Sequence, residues 1–206
     1  MTDNAGKIRR ALGVIVARRK STRLPGKVLR PLSAHPLIGY ICSAAVRTIQ
    51  LDRVILSTED HEIASVAQRY GVEAPFLRPQ HLAEDFAADY EILKHAVETV
   101  EEIEGRSYDD IVLMQSTTPF VEPATIDACV DLLRSGDFGT VFASRPVSEP
   151  PDWMFSMEEN GRAKRFKADA ITEGQQHTQN LPPLFLPTGA VYACRRKAFM
   201  AQESVY

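Results

Sequence analysis

Cysteine is scarce and unpaired in this sequence: Cys42, Cys129 and Cys194 lie far apart, each in an apolar stretch, and no Cys-x-x-Cys spacing occurs. An odd, dispersed set argues against a disulfide framework and reads as buried thiols in a reducing compartment, which implies a cytoplasmic location. A basic surplus is also missing. The net charge of -3 argues against general affinity for nucleic acid, whose phosphate backbone demands a large positive excess. Long apolar runs are absent: after the polar, basic start MTDNAGKIRR, the run Ala11 to Ala17 is too short for a membrane span or a signal peptide. His35, His61, His81, His95 and His177 show no metal-ligand spacing, and there is no internal repeat or low-complexity segment.

What is present is a chain of 206 residues, 44% hydrophobic and 25% charged, which suits one compact domain over residues 1–206. Short apolar runs alternate with segments of helical period, the pattern of an α/β fold with a mainly parallel sheet covered by helices on both faces. Strands are expected at Gly13 to Ala17, Val54 to Ser57, Ile111 to Met114, Thr140 to Ala143 and Gly189 to Tyr192. Pro36 starts a helix with Ile38, Ile41, Cys42, Ala45 and Ile49 on one face, and Asp60 caps another that ends at Gly71. A long helix from about Ala88 to Glu104 turns Ile92, Leu93, Ala96, Val97, Val100 and Ile103 inward, and one more runs from Glu122 to Arg134. Residues 146 to 187 are proline-rich with few periodic runs, and read as an arm or lid leaving the sheet.

The loop after the first strand carries the chemistry. In Arg18-Arg19-Lys20-Ser21-Thr22-Arg23-Leu24-Pro25-Gly26-Lys27, five cations stand in ten residues, a density that repels itself unless an anion is near. Gly26 lets backbone amides turn toward that anion, and loops at the carboxyl ends of parallel strands are favoured phosphate sites. A Walker loop is excluded, because the residue five before Gly26 is Ser21 and Val28 follows Lys27; no GxGxxG triad occurs either. The bland alternative is a solvated basic loop.

Several motifs in one order carry a resemblance: the loop from Ala17-Arg18 to Leu24-Pro25-Gly26-Lys27, Ser57-Thr58-Glu59-Asp60, Phe76-Leu77-Arg78-Pro79, Leu82-Ala83 with Asp85, Leu113 to Pro119, Asn160-Gly161-Arg162, Leu181-Pro182-Pro183 and Gly189-Ala190-Val191-Tyr192. Over nearly its whole length the chain resembles the nonulosonic acid cytidylyltransferases, typified by CMP-N-acetylneuraminate synthetases. The resemblance implies a Rossmann-like nucleotide-diphospho-sugar transferase fold. It implies attack by the anomeric hydroxyl of an acidic, sialic-acid-like sugar on the α-phosphate of CTP, with release of pyrophosphate. It implies Mg²⁺ as cofactor and a homodimer formed through the arm. By its positions, Arg18 and Lys27 hold the triphosphate beside Ala17, Ser21 adds a hydrogen bond, and Arg78 recognises cytosine unless it merely forms a surface ion pair. Asp89, where the family has Ser, would accept from the cytosine amino group or else cap the long helix. Gln115 would lie near sugar and phosphate, Thr188 stands where the family has a sugar-side Asn, and Tyr192 matches a sugar-side residue, although an aromatic on a buried strand is more often core.

The chain also departs from that pattern. The family's Asp-x-Asp metal motif is missing, since no aspartate follows Asp169; either the segment bearing it lies beyond Tyr206 or the metal is held differently, and no ligand can be named. Thr178 and Leu186 stand where sialate-activating relatives have arginines, so a substrate carboxylate loses two bidentate partners. Lys27-Val28 resembles spore-coat polysaccharide enzymes, and Ser21 to Lys27 resembles the synthetase that activates 3-deoxy-manno-octulosonate. The alternatives to an acidic-sugar cytidylyltransferase are therefore a transferase of the same fold for another sugar or nucleotide, and a nucleotide-binding protein without turnover.

Overall fold

The computed structural model describes residues 9–166 and 182–206. His177, Thr178 and Leu181 lie outside them. The described chain divides into two compact units, one of residues up to Ala143 together with Gly189–Tyr206, the other Ser144–Thr188. Of the arm expected over 146 to 187, the described residues belong to the second, and 167–181 lie outside the described residues.

In the first unit, β1 (Ala11–Val16) follows the apolar run and is buried along almost its whole length. A 3₁₀ turn at Lys27–Leu29 and a two-residue pair, β2 (Pro31–Leu32) with β3 (His35–Pro36), lead into α1 (Leu37–Ala45). Then come β4 (Arg53–Ser57), α2 (His61–Arg69), α3 (Asp89–Glu104), β5 (Asp110–Gln115) and α4 (Pro123–Ser135). β6 (Thr140–Pro146) leads out of this unit, and β9 (Phe185–Arg195) returns before α5 (Arg196–Gln202), with β7 (Phe155–Met157) and β8 (Ala163–Arg165) between them. The sheet order is β4-β1-β5-β9-β6. β1 runs parallel to both β4 and β5, whereas β9 is antiparallel to β5, with Leu113 opposite Tyr192. This is the Rossmann-like, mostly parallel sheet expected.

Alternation along the strands builds a core on each face. Ile15, Leu56, Val112 and Met114 pack under α1, α2 and α4 through Ile38, Ile41, Ile63, Ile126 and Val130. Leu12, Val14, Ile111 and Leu113 pack under α3 and α5 through Leu93, Val97 and Phe199. The Asp60 carboxylate accepts from the Ile63 amide at 2.8 Å and starts α2. Two apolar residues placed inward by period alone are outside. Ile49 is 85% exposed because α1 ends at Ala45, and Ile103 is 58% exposed because it lies one residue before the end of α3.

In the second unit, β7 and β8 pair antiparallel around a tight turn in which Gly161 takes a positive φ of 81° and the Asn160 side chain accepts from the Arg162 amide. This hairpin shows apolar side chains to solvent: Phe155 is 56% and Met157 72% exposed. All three cysteines are free and buried, and burial pushes the Cys42 thiol up to about 12 and that of Cys194 to about 11. Among the described residues no helix is long and apolar enough to cross a membrane.

Candidate active site

The carboxyl ends of β1, β4 and β5 meet at one edge of the sheet, and the loop after β1 rises from there. Its base is fixed by the Ala17 amide, which donates to the Ser57 carbonyl at 3.1 Å. Its far end is turned by Gly26, at φ 65°, a left-handed conformation that strains any residue with a Cβ. The 3₁₀ turn at Lys27–Leu29 follows at once, and its Val28 is buried. A cleft of about 300 Å³ opens between this loop, the segment before α3 and the end of β5. It is the size of a small-molecule site.

Of the residues singled out from sequence, Arg18, Ser21, Lys27, Arg78, Asp89 and Gln115 all line this cleft, as does Ala17. Ala17 has its backbone already engaged, for its carbonyl accepts from Arg78 at 2.8 Å in addition to the amide bond to Ser57. Tyr192 does not itself line the cleft: it is 4% exposed and packs in the core beside Phe142 and Tyr206, within electrostatic reach of the cleft residue Asp89. Burial, with the neighbouring Tyr206 hydroxyl at 3.4 Å, raises its pKa far above the ordinary tyrosine value. Thr188 is exposed and belongs to the second unit.

The cations of the loop differ in their company. Arg18 pairs with Asp85 at 2.8 Å and also donates to the Ala83 carbonyl, Lys20 pairs with Glu84 at 3.3 Å, and Arg19 pairs with Glu62. Arg23 and Lys27 line the cleft with no carboxylate partner among the described residues. They are the places where incoming anionic charge meets positive charge not already neutralised. Arg18 must exchange Asp85 for a ligand, which costs little because exposed pairs of this kind contribute about 0–1 kcal/mol.

Arg78 is no surface ion pair. It is 4% exposed, its amide donates to the Thr58 carbonyl, and its Nη2 bridges the Ala17 carbonyl and Glu59 Oε2 at 2.8 and 2.9 Å. Burial lowers its pKa from the usual guanidinium value, and Glu59 opposes that shift. Asp89 does not cap α3. The cap position is Ala88 and no side chain closes it, so Asp89 in the first turn leaves its carboxylate open to the cleft. Its surroundings still withdraw enough solvent to raise its pKa. Gln115 ends β5 with its amide unpaired among the described residues. Gly189, at φ 77°, faces it: a Cβ there would stand 3.6 Å from Gln115 Oε1.

Sequence reading gave no role to Glu59 or Asp85, although both lie within the motifs that carry the resemblance. Arg23 was only one cation of a cluster. No signal in the spacing distinguishes paired from unpaired charges. Among the described residues, no three His, Cys, Asp or Glu side chains converge to hold a metal. Before a ligand enters, Asp85 and Glu84 are engaged by basic side chains, and Asp89 is the one carboxylate lining the cleft without such a partner among the described residues. These residues do not fit a protein-held metal centre.

Comparison with known proteins matches residues 12–205 to a family described as cytidylyltransferase. The CMP-N,N'-diacetyllegionaminic acid synthase of Legionella pneumophila is 29% identical over 199 residues, covering 96% of this chain and 83% of the relative. The pseudaminic acid cytidylyltransferase of Campylobacter jejuni is 26% identical over 195 residues, covering 95% of this chain and 82% of the relative. Among solved structures, a CMP:2-keto-3-deoxy-manno-octonic acid synthetase complexed with CTP superposes with a TM-score of 0.69. It shares 21% identity, and the match covers 94% of this chain and 77% of that one.

Proposed function

The chain belongs to the cytidylyltransferase family, and from that premise we propose that it joins an acidic, sialic-acid-like nonulosonate to CMP, taking the nucleotide from CTP and releasing pyrophosphate. The observation that carries this reading is the partition of charge in the cleft. Lys27 and Arg23, without an ion-pair partner among the described residues and set on a glycine-turned loop at the carboxyl ends of parallel strands, suit a triphosphate. The neutralised Arg78 and the open carboxylate of Asp89 suit a neutral base that both accepts and donates hydrogen bonds.

In the reaction, the sugar's anomeric hydroxyl gives up its proton to water, and its oxygen forms a bond to the α-phosphorus as the bond to the bridging oxygen of pyrophosphate breaks. Charge then grows on the leaving group. Lys27 and Arg23 neutralise it, with Arg18 joining them once it releases Asp85, and Ser21 donates from the same loop. Gln115, an uncharged amide, bonds sugar or phosphate without repelling either. Mg²⁺ is the expected counter-ion of the triphosphate. Cytosine and Asp89 match by the base's amino group donating to the carboxylate.

CTP is expected to stabilise the protein against heat more than ATP, GTP or UTP does, each with Mg²⁺ at equal concentration. Equal shifts with all four would remove the cytosine assignment. The buried thiols support a cytoplasmic setting.

The second unit is proposed to meet a second copy of the chain. Trp153, Met154, Phe155 and Phe166 are 37 to 69% exposed within one small unit, an apolar surface that a partner would cover. Light scattering at micromolar concentration is expected to give the mass of a dimer; a monomer would contradict this arrangement.

A further inference from the structure

We propose that Glu59 is a positioning residue of the nucleotide site, acting through Arg78 to make the site select cytosine over uracil. The inference rests on the cytidylyltransferase reading of the cleft, and concerns a side chain that does not itself line it.

Glu59 lies in the short segment between β4 and α2, and its side chain is 8% exposed beside an Arg78 side chain that is 2% exposed. Its two oxygens are divided. Oε1 accepts the Arg19 backbone amide at 2.7 Å, at the base of the phosphate loop, and Oε2 accepts Arg78 Nη2 at 2.9 Å. Arg78 Nη2 also donates to Ala17, so one terminal nitrogen of the guanidinium is wholly engaged in bracing the protein. Nε is buried without a partner, and Nη1 has none among the described residues, which leaves Nη1 as the donor available to the cleft that Arg78 lines.

The consequence is chemical. A buried arginine with no counter-charge attracts the most negative group within reach, here a phosphate. Paired with Glu59, Arg78 carries no net charge with its partner and becomes a directional donor held in angle by the two hydrogen bonds of its Nη2, to Glu59 and to the Ala17 carbonyl. Such a donor suits a neutral acceptor edge. Cytosine offers two adjacent acceptors, O2 and N3, where uracil offers O2 beside an N3–H that would meet the arginine donor to donor. Discrimination then depends on the guanidinium being held in one orientation, and Glu59 holds it.

Glu59→Gln isolates this role. The glutamine keeps an oxygen for the Arg19 amide but turns an NH₂ toward Arg78. The assay is kcat/KM for pyrophosphate release with CTP and with UTP, on the full-length gene product. The CTP-to-UTP ratio is expected to fall about tenfold to a hundredfold, mainly through KM for CTP. In an Arg78→Gln background the same change should leave the ratio where Arg78→Gln alone puts it. A parental ratio in Glu59→Gln, or a further fall in the Arg78→Gln background, would overturn the proposal. Should Glu59→Gln alone fail to fold because it strands a buried arginine, the double variant pairs two neutral amides and decides the matter by the same comparison. A parent that turns over CTP and UTP equally defeats the cytosine reading and this inference with it. A parent that prefers CTP, with Glu59→Gln still preferring it equally, defeats this inference alone.

Discussion

Lys27→Ala is expected to slow pyrophosphate release about 10² to 10³-fold, the usual loss when one preorganised donor is removed from a developing charge. Its melting should stay within about 0.5 kcal/mol of the parent. Both halves follow from its surroundings. Lys27 lines the cleft immediately after the turn at Gly26, forms no ion pair among the described residues, and shares its loop with four other cations. Removing it breaks no side-chain hydrogen bond or ion pair among the described residues and relieves some repulsion, so the folded state loses little. The transition state loses a charge that Arg18 can supply only by leaving Asp85. Steady-state kinetics with saturating CTP and a calorimetric melt check the two halves separately. Parental turnover would show that the triphosphate lies elsewhere, and a large drop in melting temperature would show that Lys27 has a structural task.

Asp110→Ala is expected to do the opposite, lowering stability by about 3–5 kcal/mol with little effect on nucleotide affinity. Asp110 opens β5 at the end of the strand away from the cleft and is fully buried. Three arginines gather on it: Arg9 in direct hydrogen bond, Arg134 at 2.9 Å and Arg195 at 3.9 Å. Arg134 also holds Gln50, and Arg195 holds the Leu133 and Gly136 carbonyls, so the aspartate ties the ends of β5, α4 and β9 together. Without its carboxylate, positive charge stays buried and unpaired. For a chain of this size the loss corresponds to about 6–20 °C in Tm. A scanning melt reads it directly, and a shift of only a degree or two would mean that water replaces the carboxylate at little cost.

The contrast between these two sites shows what a linear sequence displays. Lys27 was visible because its neighbours in sequence, Pro25, Gly26 and the cations before them, are also its neighbours in space. The strands, the Asp60 cap and the Pro36 entry to α1 were legible for the same reason: short-range patterns decide them. The hub at Asp110 was not legible, because Arg9 and Arg195 come to it from positions about as distant as the chain allows. Glu59 and Arg78 meet across 19 residues, and Asp85 reaches Arg18 across the cleft, so the division of the basic loop into paired and unpaired cations exists only after folding. Period alone misplaced Ile49 and Ile103, since it cannot tell where a helix stops. Tyr192 matched a motif, yet an apolar strand buried on both faces takes its ring into the core.

The most direct test of the account is turnover. The purified full-length gene product, incubated with CTP, Mg²⁺ and each of a set of acidic nonulosonates and octulosonates, is predicted to release pyrophosphate and form a CMP-sugar of matching mass with at least one of them. The same mixtures containing ATP, GTP or UTP should give little product. Pyrophosphate release that is indifferent to the base, or CTP binding without any CMP-sugar across the whole set, would contradict it.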